Sequence, residues 1–259
     1  MKTSNHLLRR LTAALLAAVL ALSIALPVFA SDDGDTIYIN SVSDLLSLAR
    51  NCAYDQWSVG KTVILQKDLS LEGMLWEPIP SFSGQFKGSG HTISDLTITG
   101  QYSPAGLFGI VEEQGSIESL SVRGVVSVSD SADTTTGGIV GVNHGTLINC
   151  QFTGVVTGDS EVGGIVGRNE SEGTIDHSTA RAIVTGKSST GGIAGYNLGA
   201  ITGCTNVGSI NTEYPEASLD TDGFTAKMVD YINNKMAAAD DDATNSVTNV
   251  ATDTGGVAG

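Results

Sequence analysis

The chain has 259 residues, 28 acidic against 13 basic side chains, and a formal net charge of −15. So acidic a protein is ill-suited to neutralising nucleic-acid phosphates or docking electrostatically on anionic membranes. Its three cysteines, Cys52, Cys150 and Cys204, are too few and odd in number for a disulfide framework.

Residues 1–30 read as a signal peptide. Lys2, Arg9 and Arg10 precede an apolar run from Leu11 to about Pro27, and Val28-Phe-Ala30 places small residues at the cleavage site. Cleavage removes three positive charges and no negative ones, leaving −18. The expectation is a secreted or cell-surface protein. No second apolar run of spanning length follows, so no membrane insertion is expected after cleavage.

Residues 31–60 read as an N-terminal cap. Ser41-Val-Ser-Asp44 is a capping-box-like start, and Val42, Leu45, Leu46 and Ala49 fall on one helical face over 41–50.

Residues 61–210 carry a repeat. The phrase GGIVGVNHG at 137–145 returns as GGIVGRNESEG at 163–173 and GGIAGYNLG at 191–199. Behind each phrase runs a longer unit: Gly115-Ser-Ile117…Leu120-Ser-Val122…Val126 matches Gly145-Thr-Leu147…Cys150-Gln-Phe152…Val156. Two more begin at Gly173 and Gly199, so the glycines stand 30, 28 and 26 residues apart. An earlier copy is placed at His91-Thr-Ile93…Leu96-Thr-Ile98. Periods of this size belong to stacked repeats. Alternating Val, Ile and Thr broken by Gly and Asn is strand-and-turn chemistry. The fold class predicted is therefore all-β: a parallel β-helix, or β-solenoid, each unit one rung. Positions 117, 120, 122 and 126 should face the interior. The glycines are expected at corners, where φ is often positive, and where the wall comes close to the axis. Asn143, Asn169 and Asn197 hold one place in three rungs and predict a ladder of stacked amides, with a row of ligand-binding amides as the alternative.

Residues 211–254 interrupt the rhythm. Phe224, Met228, Tyr231, Ile232 and Met236 share one face of a helix expected over 222–239, and Asp240-Asp-Asp242 follows. That acidic run lacks the ligand spacing, glycine and closing glutamate of a calcium loop. Residues 255–259, GGVAG, are taken as the start of a further, truncated rung, which suggests a piece of a longer protein.

The candidates for chemistry are sparse. Asp159 and Glu161 flank one turn, and Glu112 and Glu113 fall in a comparable loop, which is the minimum for a glycosidase pair. Aromatic residues, at 5%, offer no sugar platform, only Phe152 and Tyr196 lying in the central repeats. Arg123 and Arg181 match in register two rungs apart. His144 and His177 occupy different places and make no metal pair. Cys150 and Cys204, equivalent and two rungs apart, lie roughly 10 Å from each other by the strand spacing, too far for a disulfide. The sequence therefore predicts no catalytic, cofactor-binding or metal-binding residue and no cofactor.

The Gly-Gly-Ile-Val-Gly-x-Asn pattern, with Ala105-Gly-Leu-Phe-Gly109 as its first variant, resembles the GLUG repeat of bacterial surface proteins. The stretch Gly60–Ser70, then Trp76-Glu-Pro-Ile-Pro80 and Phe82–Ile93, fits the same family, so the resemblance covers about 36–210 and the last five residues. It implies a right-handed parallel β-helix in a secreted or wall-attached, adhesin-like protein, with a host, matrix or glycan ligand as partner. Some immunoglobulin-A-directed metallopeptidases carry similar repeats, but the His-Glu-x-x-His of their catalytic domain is absent here. The expected function is a non-catalytic stalk or binding face; the alternative is the accessory flank of a larger secreted hydrolase, peptidase or glycan-acting.

Overall fold

The structure, a computed structural model, describes residues 35–54, 56–128, 134–211 and 254–255. The signal peptide expected over 1–30 and the helix expected over 222–239 lie outside them. Met1–Asp35 and Thr36–Gly259 are separate units, and the second carries the fold.

Every paired strand lies parallel to its partner, and the strands build four sheets that the chain visits in turn. The rung from residue 116 shows the order. Ser116–Glu118 lies in the first sheet, Ser121–Val128 in the second, Thr136–Gly137 in the third and Val140–Asn143 in the fourth. The next rung repeats this with Thr146–Ile148, Gln151–Thr157, Val162–Gly163 and Val166–Asn169. This is a β-solenoid of about six turns. The seven strands of the first sheet, about 4.8 Å apart, make a stack about 29 Å high.

The register follows the glycine phasing. Thr146 pairs with Ser116 and Thr174, and Thr174 with Ala200. Ile117, Leu120, Val122 and Val126 are fully buried, as alternation demands. The early copy is a correction. Ile93 lies opposite Val122 in the second sheet, and Phe86 is the residue opposite Ile117. The true counterpart of Ser116–Glu118 is Gln85–Lys87, which carries none of the repeat's letters. A bulge between Ile93 and Leu96 inserts an extra residue, and Asp95 takes φ 60° there. The early rungs fill their interior with Phe82, Phe86 and Phe108 instead, whose ring centroids lie 5.4–6.3 Å apart.

The glycines of the repeated phrase act by closeness rather than by φ. A Cβ on Gly145 would run into the Gly115 carbonyl, and one on Gly138 into the Phe152 ring. The left-handed corner lies elsewhere, between the first and second sheets. Ser119, Asn149, His177 and Gly203 stack there with φ of 53°, 52°, 45° and 63°. Only one of the four is glycine, so this corner is hidden from a search for Gly.

At the N-terminal end, Thr36–Ile39 is already a strand, paired with Thr62–Leu65. Helix α1 (Val42–Asn51) follows. The Ser41 hydroxyl accepts from Asp44 N at 3.2 Å, and the Asp44 carboxylate accepts from Asn40 N at 2.9 Å, a reciprocal cap. Leu45 and Leu48 bury the inner face of α1 against the solenoid core. At the other end, Thr254–Gly255 lies on Thr190–Gly191.

Candidate functional site

Two rows singled out by the sequence are interior. Asn143 Nδ2 donates to Asn169 Oδ1 at 2.7 Å, and Asn169 Nδ2 donates to Asn197 Oδ1 at 2.8 Å. Each amide also donates to the carbonyl of the next corner glycine, Gly145, Gly173 or Gly199, at 3.1 Å. Asn143 and Asn169 are fully buried. Their polar atoms are spent on the fold, and nothing is left to hold a ligand.

The cysteine row is interior as well. Ser178 separates Cys150 from Cys204, its hydroxyl accepting from Cys150 N at 3.1 Å while its own N–H points at Cys204 Sγ at 3.4 Å. All three cysteines are free thiols. Burial pushes Cys150 from 9.0 up to about 12 and Cys52 up to about 11; Cys204, at the less covered end, is raised by the same cause. A thiol held protonated is a poor nucleophile.

The carboxylates are drawn apart. Asp159 Oδ1 meets Lys187 Nζ of the next rung at 2.7 Å. Glu161 Oε1 meets Arg168 at 3.0 Å, and its Oε2 accepts from Thr135 of the rung below at 3.0 Å. Arg168 reaches Glu170 at 3.6 Å and lies 4.9 Å from the Tyr196 ring centre. Each carboxylate thus has its own cation, and they do not form a general acid–base pair. Glu112 accepts from Ser81 at 2.8 Å, while Glu113 is exposed. Arg123 and Arg181 stand two rungs apart with Thr153 between them. His177 pairs with Asp176 at 2.8 Å on the outer corner, away from His144. A pair the sequence did not flag, His91 with Asp68 at 3.2 Å, has serines nearby, but Ser70 and Ser94 donate to Asp95 and not to the imidazole. No hydroxyl is thereby activated. Among the described residues no three His, Cys, Asp or Glu side chains gather as a metal site. Among them, too, no helix is long and apolar enough to cross a membrane.

What varies most from rung to rung is one corner. From the first sheet to the second the spacing is five residues in four successive rungs, as from Ser116 to Ser121 and Ala200 to Thr205. From the third to the fourth it is four, as from Thr136 to Val140. From the fourth to the first it is six or eight, as from Val140 to Thr146 and Val166 to Thr174. Between the second and third sheets the equivalent positions are six apart in two rungs (Val156 to Val162, Val184 to Thr190). They are ten apart from Val126 to Thr136, and 44 from Ile210 to Thr254. All the large extra length in these rungs leaves by one edge. That edge also holds Asp159, Lys187 and Glu161, with Arg168 alongside. It is a built edge: the buried Thr134 hydroxyl accepts from Asp159 N at 2.8 Å, tying successive loops together. Motif reading missed it because the signal lies in spacing, not in residue type. A concavity of about 660 Å³ opens at the N-terminal end between α1 and the chain before Ile79, with Tyr54, Leu75, Arg50 and Glu77 on its walls.

These features define a β-solenoid of glycine-phased repeats. The family model of the GLUG motif matches residues 158–185, one rung from the loop edge at Gly158 through the strand ending at Thr185. Among curated proteins, the chain is 31% identical over 155 residues to halomucin of Haloquadratum walsbyi, covering 55% of this chain and 2% of that protein. It is 28% identical over 137 residues to a "Putative Gly-rich membrane protein" of Evansella cellulosilytica, covering 38% of this chain and 16% of that protein. The chain thus spans a small part of the curated relatives it matches. Among solved structures, a "putative immunoglobulin A1 protease" from Bacteroides ovatus aligns at TM-score 0.44 and 16% identity, over 71% of this chain and 79% of that one. A likeness of that degree carries no argument.

Proposed function

We propose that this chain is a secreted or cell-surface, adhesin-like solenoid, non-catalytic in itself, which holds a binding edge clear of the surface it is attached to. The observation that supports this reading is the confinement of large length variation to the corner between the second and third sheets, while the interior keeps its register. Insertions that collect on one side of a repeat stack are where such proteins place their contacts. The pairing of Asp159 and Glu161 with separate cations speaks against hydrolysis at this edge. The relatives' names, halomucin and a Gly-rich membrane protein, fit an extracellular surface setting. The ligand class is a glycan or a matrix protein.

The test has two parts. Intact cells are treated with a membrane-impermeant biotin reagent, which should label the chain. The purified chain is then applied to arrays of immobilised glycans and matrix proteins, alongside variants with shortened 129–133 and 186–189 loops. Binding lost in the loop variants but kept in a Ser119 corner variant supports the reading. Labelling only in broken cells, or glycan cleavage by the purified chain, refutes it.

A further inference from the structure

In the repeats Phe152 is buried and Tyr196 lies against Arg168, so neither gives a sugar a platform. The N-terminal cap is different. Among the described residues the two most exposed large apolar side chains are Tyr54 and Leu75, at 73% and 72%. A lone exposed apolar residue needs no explanation. These two line one concavity of about 660 Å³, Tyr54 on the side of α1 and Leu75 on the side of the chain before Ile79. Small-molecule sites typically measure about 300–1,000 Å³.

Both walls are held in place. Helix α1 buries Leu45 and Leu48, and the turn after it is closed by Tyr54 N donating to Asn51 O at 3.1 Å. Opposite, Trp76 N donates to Thr97 O at 2.8 Å, while its indole Nε1 and the Ile79 N–H both donate to Leu107 O at 3.1 Å. Pro78, between Trp76 and Ile79, has a fixed φ. The concavity is therefore preformed, which lowers the ordering cost of binding.

The polar groups on the walls retain capacity for a ligand. The Asn51 amide and the Glu77 carboxylate make no hydrogen bond or ion pair among the described residues. Arg50 gives one of its five donors to Ser47 Oγ, at 3.1 Å. A sugar hydroxyl both donates and accepts, and this set answers both ways: Asn51 and Arg50 donate, Asn51 and Glu77 accept. The exposed Tyr54 ring gives the C–H face of a pyranose a surface to lie on. Charge narrows the ligand further. Arg50 and Glu77 are the charged residues of the lining and cancel, and the carbonyl end of α1 disfavours an anion. A peptide fits less well. The edge strand Ile79–Phe82 carries Pro80, which has no N–H to give an added strand, and the Trp76 N–H that a proline-rich ligand would use is bonded to Leu107.

We propose that this concavity is a second binding site, for a short stretch of neutral glycan stacked on Tyr54 and hydrogen-bonded by Asn51, Arg50 and Glu77. It belongs to the cap and not to the loop edge, and it holds whatever that edge binds.

The test is ligand-observed saturation-transfer NMR on the full chain, with cellotetraose, maltotetraose, mannotetraose and xylotetraose each titrated to about 10 mM. At least one should bind with half-saturation at about 1 mM or below. Tyr54→Ala, which removes an exposed ring and leaves the core alone, should weaken that binding about 10-fold, and Tyr54→Phe should keep it. Glu77→Gln should weaken it less. Tyr38→Ala, at an exposed tyrosine outside the concavity, and a shortened 186–189 loop should both leave it unchanged. Circular dichroism checks that each variant keeps its strands. No saturation with any of these sugars overturns the proposal, as does binding that survives Tyr54→Ala or is lost equally in Tyr38→Ala or the loop variant. Tighter binding of tetragalacturonate overturns the neutral ligand. Tyr54-dependent binding of a decaproline peptide without a sugar signal assigns the concavity to a protein partner and overturns the proposal equally.

Discussion

Asn169 is the position where the stack can be interrogated most sharply. Its amide donates to Gly173 O and Asn197 Oδ1 and accepts from Asn143, and Asn169 itself is fully buried. Asn169→Ala removes three hydrogen bonds of about 1 kcal/mol net each and orphans one buried Asn143 proton, so the expected loss is about 3–4 kcal/mol. Asn197→Ala, at the half-exposed end of the ladder, lets water replace its partners and should cost about 1 kcal/mol. Asn169→Asp should cost more than the alanine, because it sets a carboxylate against two acceptors, Gly173 O and Asn197 Oδ1, in a buried place. The assay is urea unfolding followed by far-ultraviolet circular dichroism, with the Asn143/Asn169 double variant added. A coupling of about 1 kcal/mol is expected between those two, since they share a bond. If Asn169→Ala shifts stability by no more than Asn197→Ala, the ladder is not what holds the rungs in register.

The remaining predictions concern the walls and the thiols. Gly145→Ala forces a methyl into the Gly115 carbonyl and should cost about 2–3 kcal/mol, read as a lowered urea midpoint. At the left-handed corner, Asn149→Val should cost about 1–2 kcal/mol, because a β-branched residue is poorly tolerated there, while Ser119→Gly should be neutral or slightly stabilising; thermal melts separate the two. The thiols give a pH dependence whose sign is fixed. Their folded values lie above 9.0, so their contribution is fully present below pH 9 and is lost as pH rises toward 11–12. Urea midpoints should therefore fall across that range, and Cys150→Ser, which resembles the Ser178 rung, should flatten the fall. Iodoacetamide at neutral pH should label Cys204 before Cys150 in the folded chain.

Much of the stack could be read from residues 115–210, because backbone pairing forces each rung to repeat the inward pattern of the one below. Ile117, Leu147, Ile175 and Ile201 then appear at fixed offsets from a glycine. The same reasoning misplaced His91–Ile98. There the corner glycine is Gly84, two residues before Phe86, but the interior is filled by Phe82, Phe86 and Phe108 in place of the aliphatic letters, so the match to Gly115-Ser-Ile117 is lost. The bulge at Ser94–Asp95 also adds a residue that slips the apparent alignment by one sheet. The left-handed corner was invisible for a different reason: Ser119, Asn149 and His177 pay its strain individually, so no shared letter marks it. The loop edge left no motif at all, only unequal spacings. The pairing of Asp159 with Lys187 joins adjacent rungs, and periodicity could place the two on neighbouring corners but not bring their side chains together.

The contrast between wall and edge follows from two costs of different form. A single methyl on the inner wall meets a carbonyl held 4.8 Å away by the next rung, and nothing can move without breaking the ladder. Added loop length at a corner instead raises closure entropy only logarithmically, about 0.6 kcal/mol per doubling. Lengthening the corner from six residues to the 44 between Ile210 and Thr254 is nearly three doublings, or about 2 kcal/mol. One misplaced carbon at Gly145 and 38 extra residues at the edge thus cost comparable amounts. Sequence change is therefore steered to the edge, where it alters what the rod presents and leaves the rod itself unchanged.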